Sequence, residues 1–237
     1  MIFSFSRLNL YRQCPYRFYN KYILGKEEPV TKPLALGKAV HQSIDDIING
    51  FSHEEAVMNG YAAAGFHEEL MHQEISNLVE RAPVRPNMGK TEVYFKLPLS
   101  ERHNAPEIQG YIDLVSPDGA ITDWKTNRSI YGVKDNKQLA LYAWAISQEI
   151  DIDRVEGILY FLRFRKEKGK IFSKEEMEEA RRWALDTADE INERLELLEI
   201  MPKGTDRLFP TKPSRQCGHC PFAGHCILEN MIVIPPG

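Results

Sequence analysis

The stretch "QGYIDLVSPDGAITDWKTN", residues 109–127, decides how this chain is read. Pro117-Asp118-Gly119 suits a three-residue hairpin loop, a type I turn followed by a left-handed residue, and Gly119 takes the left-handed place. In that register Ser116 faces Ala120 and Asp113 faces Asp123. Directly opposed side chains share a face, with Cβ atoms roughly 5 Å apart. Lys125, two residues beyond Asp123, shares the face as well. Two carboxylates and an ammonium thus gather beside apolar Ile108, Ile112, Leu114 and Ile121. Facing carboxylates repel unless a proton or cation lies between them. A divalent cation is the economical answer, and hard oxygen ligands suit magnesium or manganese. Lys125 then stands where it can position a water or stabilise negative charge in a transition state. Asp-x-Lys alone is common on solvated strand faces; its opposition to Asp113 is what singles it out.

Two further pieces flank the hairpin in chain order. His41 closes "GKAVH" on a helix from Leu36 to about Ile48, where Val40, Ile44, Ile47 and Ile48 recur at helical spacing. A histidine beside such an apolar face more often serves packing than ligation. Gln138 and Tyr142, in "QLALY", are four apart on a later helix and share one face. By themselves they are ordinary amphipathic patterning.

Around these pieces the pattern is mixed. Ser4 or Ser6 caps a short helix that ends before Cys14-Pro15, and residues 16–33 read as basic, aromatic irregular structure. A second helical region runs roughly from Ser52 to Val79, followed by the loop "RAPVRPNMGK". Strands are expected at 92–99, 107–115, 120–126 and 154–163, and a helix at 135–148. "RFRKEKGKIF" looks like a basic hairpin, and Ser173 with Glu176 forms a capping box opening a long helix to about Ile200. The expectation is one α/β domain with a cysteine-tied appendage. The 237 residues suffice for a core without staples. A net charge of −4 gives no global attraction to nucleic acid, so any DNA binding must use local basic patches around a metal. No apolar run reaches membrane-spanning length. The start "MIFSFSRLNLYRQC" lacks a signal-peptide pattern, so a cytoplasmic, reducing location is expected.

The cysteines are divided between the ends. Cys14 lies in "RQCPYRF", while Cys217, Cys220 and Cys226 lie in "CGHCPFAGHC". In a reduced chain four cysteines favour a metal site over disulfides. Spacing alone does not separate a four-cysteine zinc site from an iron–sulfur cluster, and His219 and His225 interleave with the cysteines.

Taken together the motifs resemble the PD-(D/E)XK nuclease superfamily, specifically its RecB-like branch. "GKAVH" is similar to that branch's Gly-x-x-x-His motif, "GYID" to its Gly-x-x-Asp, "DWKT" to its Asp-x-Lys core and "QLALY" to its Gln-x-x-x-Tyr. Ile112 stands where the superfamily's name asks for proline, a departure that the RecB-like branch tolerates. The resemblance implies a restriction-endonuclease-like mixed sheet flanked by helices. It implies His41, Asp113, Asp123 and the Trp124 carbonyl as metal ligands, Lys125 as the catalytic lysine, and Gln138 and Tyr142 as residues orienting DNA or Lys125. In iron–sulfur members one cysteine precedes the nuclease core and three follow it, so the likeness implies a [4Fe–4S] cluster on Cys14, Cys217, Cys220 and Cys226. A single RecB-like nuclease domain follows, with its core at about 34–200 and its iron–sulfur region at 4–33 plus 202–230.

Stand-alone chains of this kind resemble CRISPR-associated RecB-like exonucleases, phage or repair exonucleases, and nuclease domains of helicase–nuclease complexes. The expected function is a DNA exonuclease on single-stranded ends, with magnesium or manganese, working with a CRISPR integrase or a helicase. No phosphate-loop motif occurs, so the chain encodes no ATP motor. Arg12, Arg17 and Lys21 near the cysteines, and Arg163, Arg165 and Lys166 in the basic hairpin, are candidate phosphate contacts or solvated basic surface. Two rival readings are a non-catalytic DNA-binding or assembly subunit and an iron–sulfur redox sensor. The intact set His41, Asp113, Asp123 and Lys125 speaks against the first.

Overall fold

The structure, a computed structural model, describes residues 1–201 and 204–230, the side chains of Glu229 and Asn230 excepted. In chain order its elements are β1 (Ile2–Phe3), α1 (Phe5–Gln13), α2 (Pro15–Phe18), α3 (Lys32–Ile48), α4 (His53–Ala63), α5 (His72–Val79), β2 (Lys90–Pro98), β3 (Glu107–Val115), β4 (Ile121–Lys125), α6 (Lys137–Ile150), β5 (Arg154–Phe161), β6 (Lys166–Ser173), α7 (Lys174–Ile200), α8 (Thr205–Leu208) and α9 (Ala223–Asn230). Two compact units result. One comprises Met1–Pro29, Leu97–Gln109 and the described residues of Arg182–Gly237; the other comprises Val30–Lys96 and Gly110–Arg181.

The second unit holds the mixed sheet. The 109–127 hairpin forms as its sequence dictates: Leu114 pairs Thr122 and Val115 pairs Ile121, antiparallel, and the same register continued by one residue sets Asp113 opposite Asp123. Gly119 sits at φ +85°, and the Ser116 and Gly119 amides donate to the Ala120 and Ser116 carbonyls at 2.9 Å each. A glycine takes that conformation without a Cβ clash. α6 then carries the chain over to β5, which pairs β4 in parallel from Ile121↔Gly157 to Lys125↔Phe161. β5 continues into β6, antiparallel from Arg154↔Ser173 to Phe161↔Lys166. β2 pairs with β3.

The core of this unit is built on the apolar stripe of α3. Ala35, Leu36, Ala39, Val40, Ile44 and Ile48 pack with Ile75 and Leu78 of α5 and with Leu114, Trp124 and Leu162. Burying each such side chain contributes about 1.5–3 kcal/mol. α4 approaches α3 so closely that a Cβ at Gly60 would strike the Ala39 carbonyl and the Ser43 hydroxyl. These contacts hold α3 against the end of β4, and His41 is on α3.

The first unit brings the two ends of the chain together. Phe209 is fully buried and meets Tyr19 at 4.9 Å, with Tyr11 and Phe18 at 6.5 Å. The Tyr16 amide donates to the Pro210 carbonyl at 3.2 Å, and Lys212 Nζ to the Arg12 carbonyl at 3.0 Å. Here β1 pairs in parallel with the start of β3, Ile2 opposite Glu107 and Phe3 opposite Ile108.

Three local expectations need correction. Residues 16–33 are not irregular throughout: Pro15 opens α2 at its first position, and a π-helical turn follows at Tyr19–Ile23. Proline is pre-set for a helix start, and burial of Tyr16, Phe18 and Asn20 fixes a turn that shows no helical period in the sequence. The region from Ser52 to Val79 is two helices, because Gly65 (φ +68°) and Phe66 (φ +49°) turn left-handed and end the first. "RFRKEKGKIF" is not a hairpin by itself. It is mostly β6, the second arm of a hairpin whose first arm is β5; Gly169 lies mid-strand opposite Ile158, and the left-handed residue at the turn is Arg165 (φ +51°). The capping box at Ser173 is present, with the Ser173 amide donating to Glu176 at 3.1 Å. Pro202 and Lys203, the first residues of the expected C-terminal iron–sulfur segment, lie outside the described residues. Among the described residues no helix is long and apolar enough to cross a membrane.

Candidate active site

β3, β4 and α3 deliver the sequence-predicted acidic residues and histidine to one place. Asp113 Oδ2 accepts the Trp124 amide at 2.8 Å and lies 3.2 Å from His41 Nδ1. His41 Nε2 lies 2.8 Å from the Trp124 carbonyl oxygen. Asp123, nearly fully buried, pairs with Lys125, whose Nζ is 2.5 Å from Asp123 Oδ2. Gln138 donates to the Tyr142 hydroxyl at 3.3 Å on α6, which lies against the same sheet.

The charges shift one another in readable directions. Burial pushes the Asp123 carboxyl up to about 6, with the Asp113 charge adding to it and Lys125 opposing. Burial works against a charged His41, yet the Asp113 and Asp123 carboxylates together outweigh it and lift the imidazole to about 9. Burial likewise opposes the Lys125 ammonium, and Asp123 more than offsets it, so its pKa is raised. The Tyr142 phenol is pushed up to about 12, chiefly by burial. The Asp123 carboxyl is thus raised in part by the acid that faces it.

One member of the site was not legible beforehand. Glu92 of β2 brings its carboxylate to His41 and Asp113, so that one ligand atom from each lies within 4.8 Å of the others. Glu92 reaches this place through a left-handed backbone, φ +46°, unusual for a non-glycine residue within a strand. Such local irregularities concentrate beside active sites, where they re-aim a side chain. Burial first, then the Asp113 charge, raise its pKa. In "KTEVYF" the residue looks like any acid in an alternating strand, and no sequence signal marks it. Imidazole with two carboxylates is a donor set suited to a small divalent cation.

The expected basic contacts are mostly engaged elsewhere. In the first unit Arg12 binds Glu190 and Thr187, while Arg17 and Lys21 both hold Glu28. In the second unit Arg163 donates to the Thr126 carbonyl at 2.8 Å and approaches Glu74. Arg165 and Lys166 are exposed.

The four cysteines come together in the first unit. Cys14, between α1 and α2, lines one small cavity with Cys217, Cys220 and Cys226, and Tyr16 and Arg17 are among the other residues of its wall. Burial raises the Cys220 thiol above its ordinary range.

Comparison with known proteins places these features in context. A sequence model described as the PD-(D/E)XK nuclease superfamily matches residues 2–227. The fold is similar to a crystal structure from Eubacterium rectale described as "Putative exonuclease", with TM-score 0.50 and 13% identity over 100% of this chain and 90% of that one. A second structure, SSO0001, aligns at TM-score 0.37 and 15% identity over 96% of each chain. No curated protein matches the chain.

Proposed function

The chain belongs to the PD-(D/E)XK nuclease superfamily, and on that premise we propose that it is a divalent-metal-dependent DNA exonuclease acting on single-stranded ends. The observation that carries this is the convergence of His41, Glu92 and Asp113 within 4.8 Å, beside the Asp123–Lys125 pair. Magnesium or manganese fits the donor set, with His41, Glu92, Asp113, Asp123 and the Trp124 carbonyl available to hold it. Bound there, the cation supplies Lewis-acid charge to the phosphate oxygens.

The protein's own groups supply the rest. Water attacks phosphorus, the P–O bond to the leaving oxygen breaks, and a phosphate monoester and an alcohol result. Lys125, kept protonated by Asp123, sets its ammonium against charge that develops on the phosphate. Tyr142 stays a neutral hydrogen-bond donor across the working pH range and, steadied by Gln138, orients Lys125 or the strand.

The cysteine site supports the iron–sulfur part of the proposal. Four cysteines that share one cavity supply the four thiolates a [4Fe–4S] cluster takes, one for each corner iron. Cys14, Cys217, Cys220 and Cys226 would hold it and tie the first unit's N-terminal and C-terminal segments. We place the chain in the cytoplasm, in CRISPR adaptation or DNA recombination and repair, with an integrase or a helicase as partner.

The test compares end-labelled linear with closed circular single-stranded DNA, in manganese or magnesium. Progressive shortening of the linear strand with the circle spared is the expected result. Rapid cutting of the circle would overturn the exonuclease assignment.

A further inference from the structure

Two tyrosines extend the site along its strands. Tyr94 is two residues beyond Glu92 on β2, and Tyr111 is two residues before Asp113 on β3. At about 3.3 Å per residue that is roughly 7 Å, about two stacked nucleotide steps. The rings are 48% and 56% exposed and lean on each other, with centroids 5.1 Å apart and planes at 47°. The core at this level is filled by another residue: Phe95 sits over Gly110 and meets Tyr142 at 5.5 Å. About half of each tyrosine is thus exposed, two residues along the strands from Glu92 and Asp113.

We propose that Tyr94 and Tyr111 form a stacking platform for unpaired bases of the strand whose phosphodiester lies at His41, Glu92 and Asp113. Every base has a π face, so aromatic rings bind single strands with little regard to sequence. In a duplex those faces are covered by neighbouring base pairs. The platform therefore gives the preference for single strands a physical cause. It rests on the hydrolytic reading above and deepens it by naming how substrate is held. Stacking needs the ring and not the hydroxyl, which sets the control.

The experiment measures equilibrium binding of the full chain in calcium buffer, with strand integrity checked on gels. The probes are fluorescein-labelled oligothymidylate, an abasic strand of equal length and a blunt duplex. Wild-type protein is expected to hold oligothymidylate about tenfold or more tighter than the abasic strand. Tyr94→Ala and Tyr111→Ala should each weaken oligothymidylate binding by at least about fivefold, and in the double variant the two strands should bind alike. Tyr94→Phe and Tyr111→Phe should match wild type. The platform is overturned by equal wild-type affinity for the base-bearing and abasic strands, by a double variant that still discriminates, or by phenylalanine variants as weak as the alanine ones. Should the alanine variants fail to fold, the wild-type ratio and the phenylalanine variants decide. Metal-dependent shortening of linear single-stranded DNA by wild type, lost in Asp113→Asn, tests the hydrolytic reading separately. Its absence sinks that reading and the platform with it, whereas shortening without base discrimination sinks the platform alone.

Discussion

His41 Nε2 lies 2.8 Å from the Trp124 carbonyl oxygen while its Nδ1 lies 3.2 Å from Asp113 Oδ2, so one imidazole bridges two groups proposed to serve a cation. In the metal-free protein burial opposes the imidazolium, and Asp113 and Asp123 together still lift it to about 9. A histidine whose pKa is raised on folding contributes stability that is complete below its unfolded value and lost as pH climbs through the folded one. Chelator-treated protein should therefore lose on the order of 3 kcal/mol at most between pH 6.5 and about 9. Asp123 has the same sign, but its window runs from 3.8 to about 6 and does not overlap. Saturating manganese should abolish the fall, because ligation needs the imidazole deprotonated. Melting curves of wild type and His41→Gln would check this; equal slopes in the two proteins would refute it.

Asp113→Asn and Lys125→Ala should both suppress cleavage but differ in metal binding. Asp113→Asn removes a proposed ligand and should weaken manganese binding in calorimetry. Lys125→Ala should keep manganese and lose roughly 10²–10³ in rate, as when one preorganised charge-stabilising group is deleted. Lys125→Ala cleaving at the wild-type rate would show that the reaction does not use this lysine.

Glu92→Gln keeps the side-chain size and removes the charge. Manganese affinity should fall by about tenfold or more, and because a strained position persists only when its surroundings hold it, Glu92→Gly should relieve backbone strain of order 1–3 kcal/mol. A Glu92→Gln protein that binds manganese as wild type does would remove Glu92 from the ligand set.

Cys14→Ala should lose the brown colour and the bound iron. Joining Cys14 to the C-terminal cysteines closes a loop of about 200 residues, a restriction worth roughly 5 kcal/mol for a simple cross-link. Only the order of magnitude transfers to a cluster. Phe209 and its aromatic neighbours also hold the ends, so the variant should fold but become protease-sensitive at both termini. Zinc in place of iron in anaerobically purified protein would defeat the cluster.

Gly60→Ala is ordinarily a favourable change within a helix. Here the added methyl meets the Ala39 carbonyl and the Ser43 hydroxyl. It should destabilise by about 1–3 kcal/mol or more, as overpacking does. His41 is two residues from Ala39, so activity should fall as α3 shifts. A thermal midpoint equal to or above wild type would contradict the close α3–α4 contact.

The sequence by itself determined the hairpin and what it gathers. A three-residue loop ending in Gly119 permits one register, and period-two alternation then sets Asp113, Asp123 and Lys125 together; these are local rules acting within the one hairpin, residues 113–125. Gly37 and His41, and Gln138 and Tyr142, were legible as helical neighbours for the same reason. Tertiary structure alone decided Glu92, because its arrival depends on a left-handed residue in β2 and on how β2 meets β3. It alone decided that Arg12, Arg17 and Lys21 face Glu190 and Glu28, since an ion pair is chosen by spatial proximity and not by spacing along the chain. It also turned residues 15–23 from an aperiodic basic stretch into helical turns, through burial of Phe18 against Tyr11 and Phe209, a residue almost two hundred positions away.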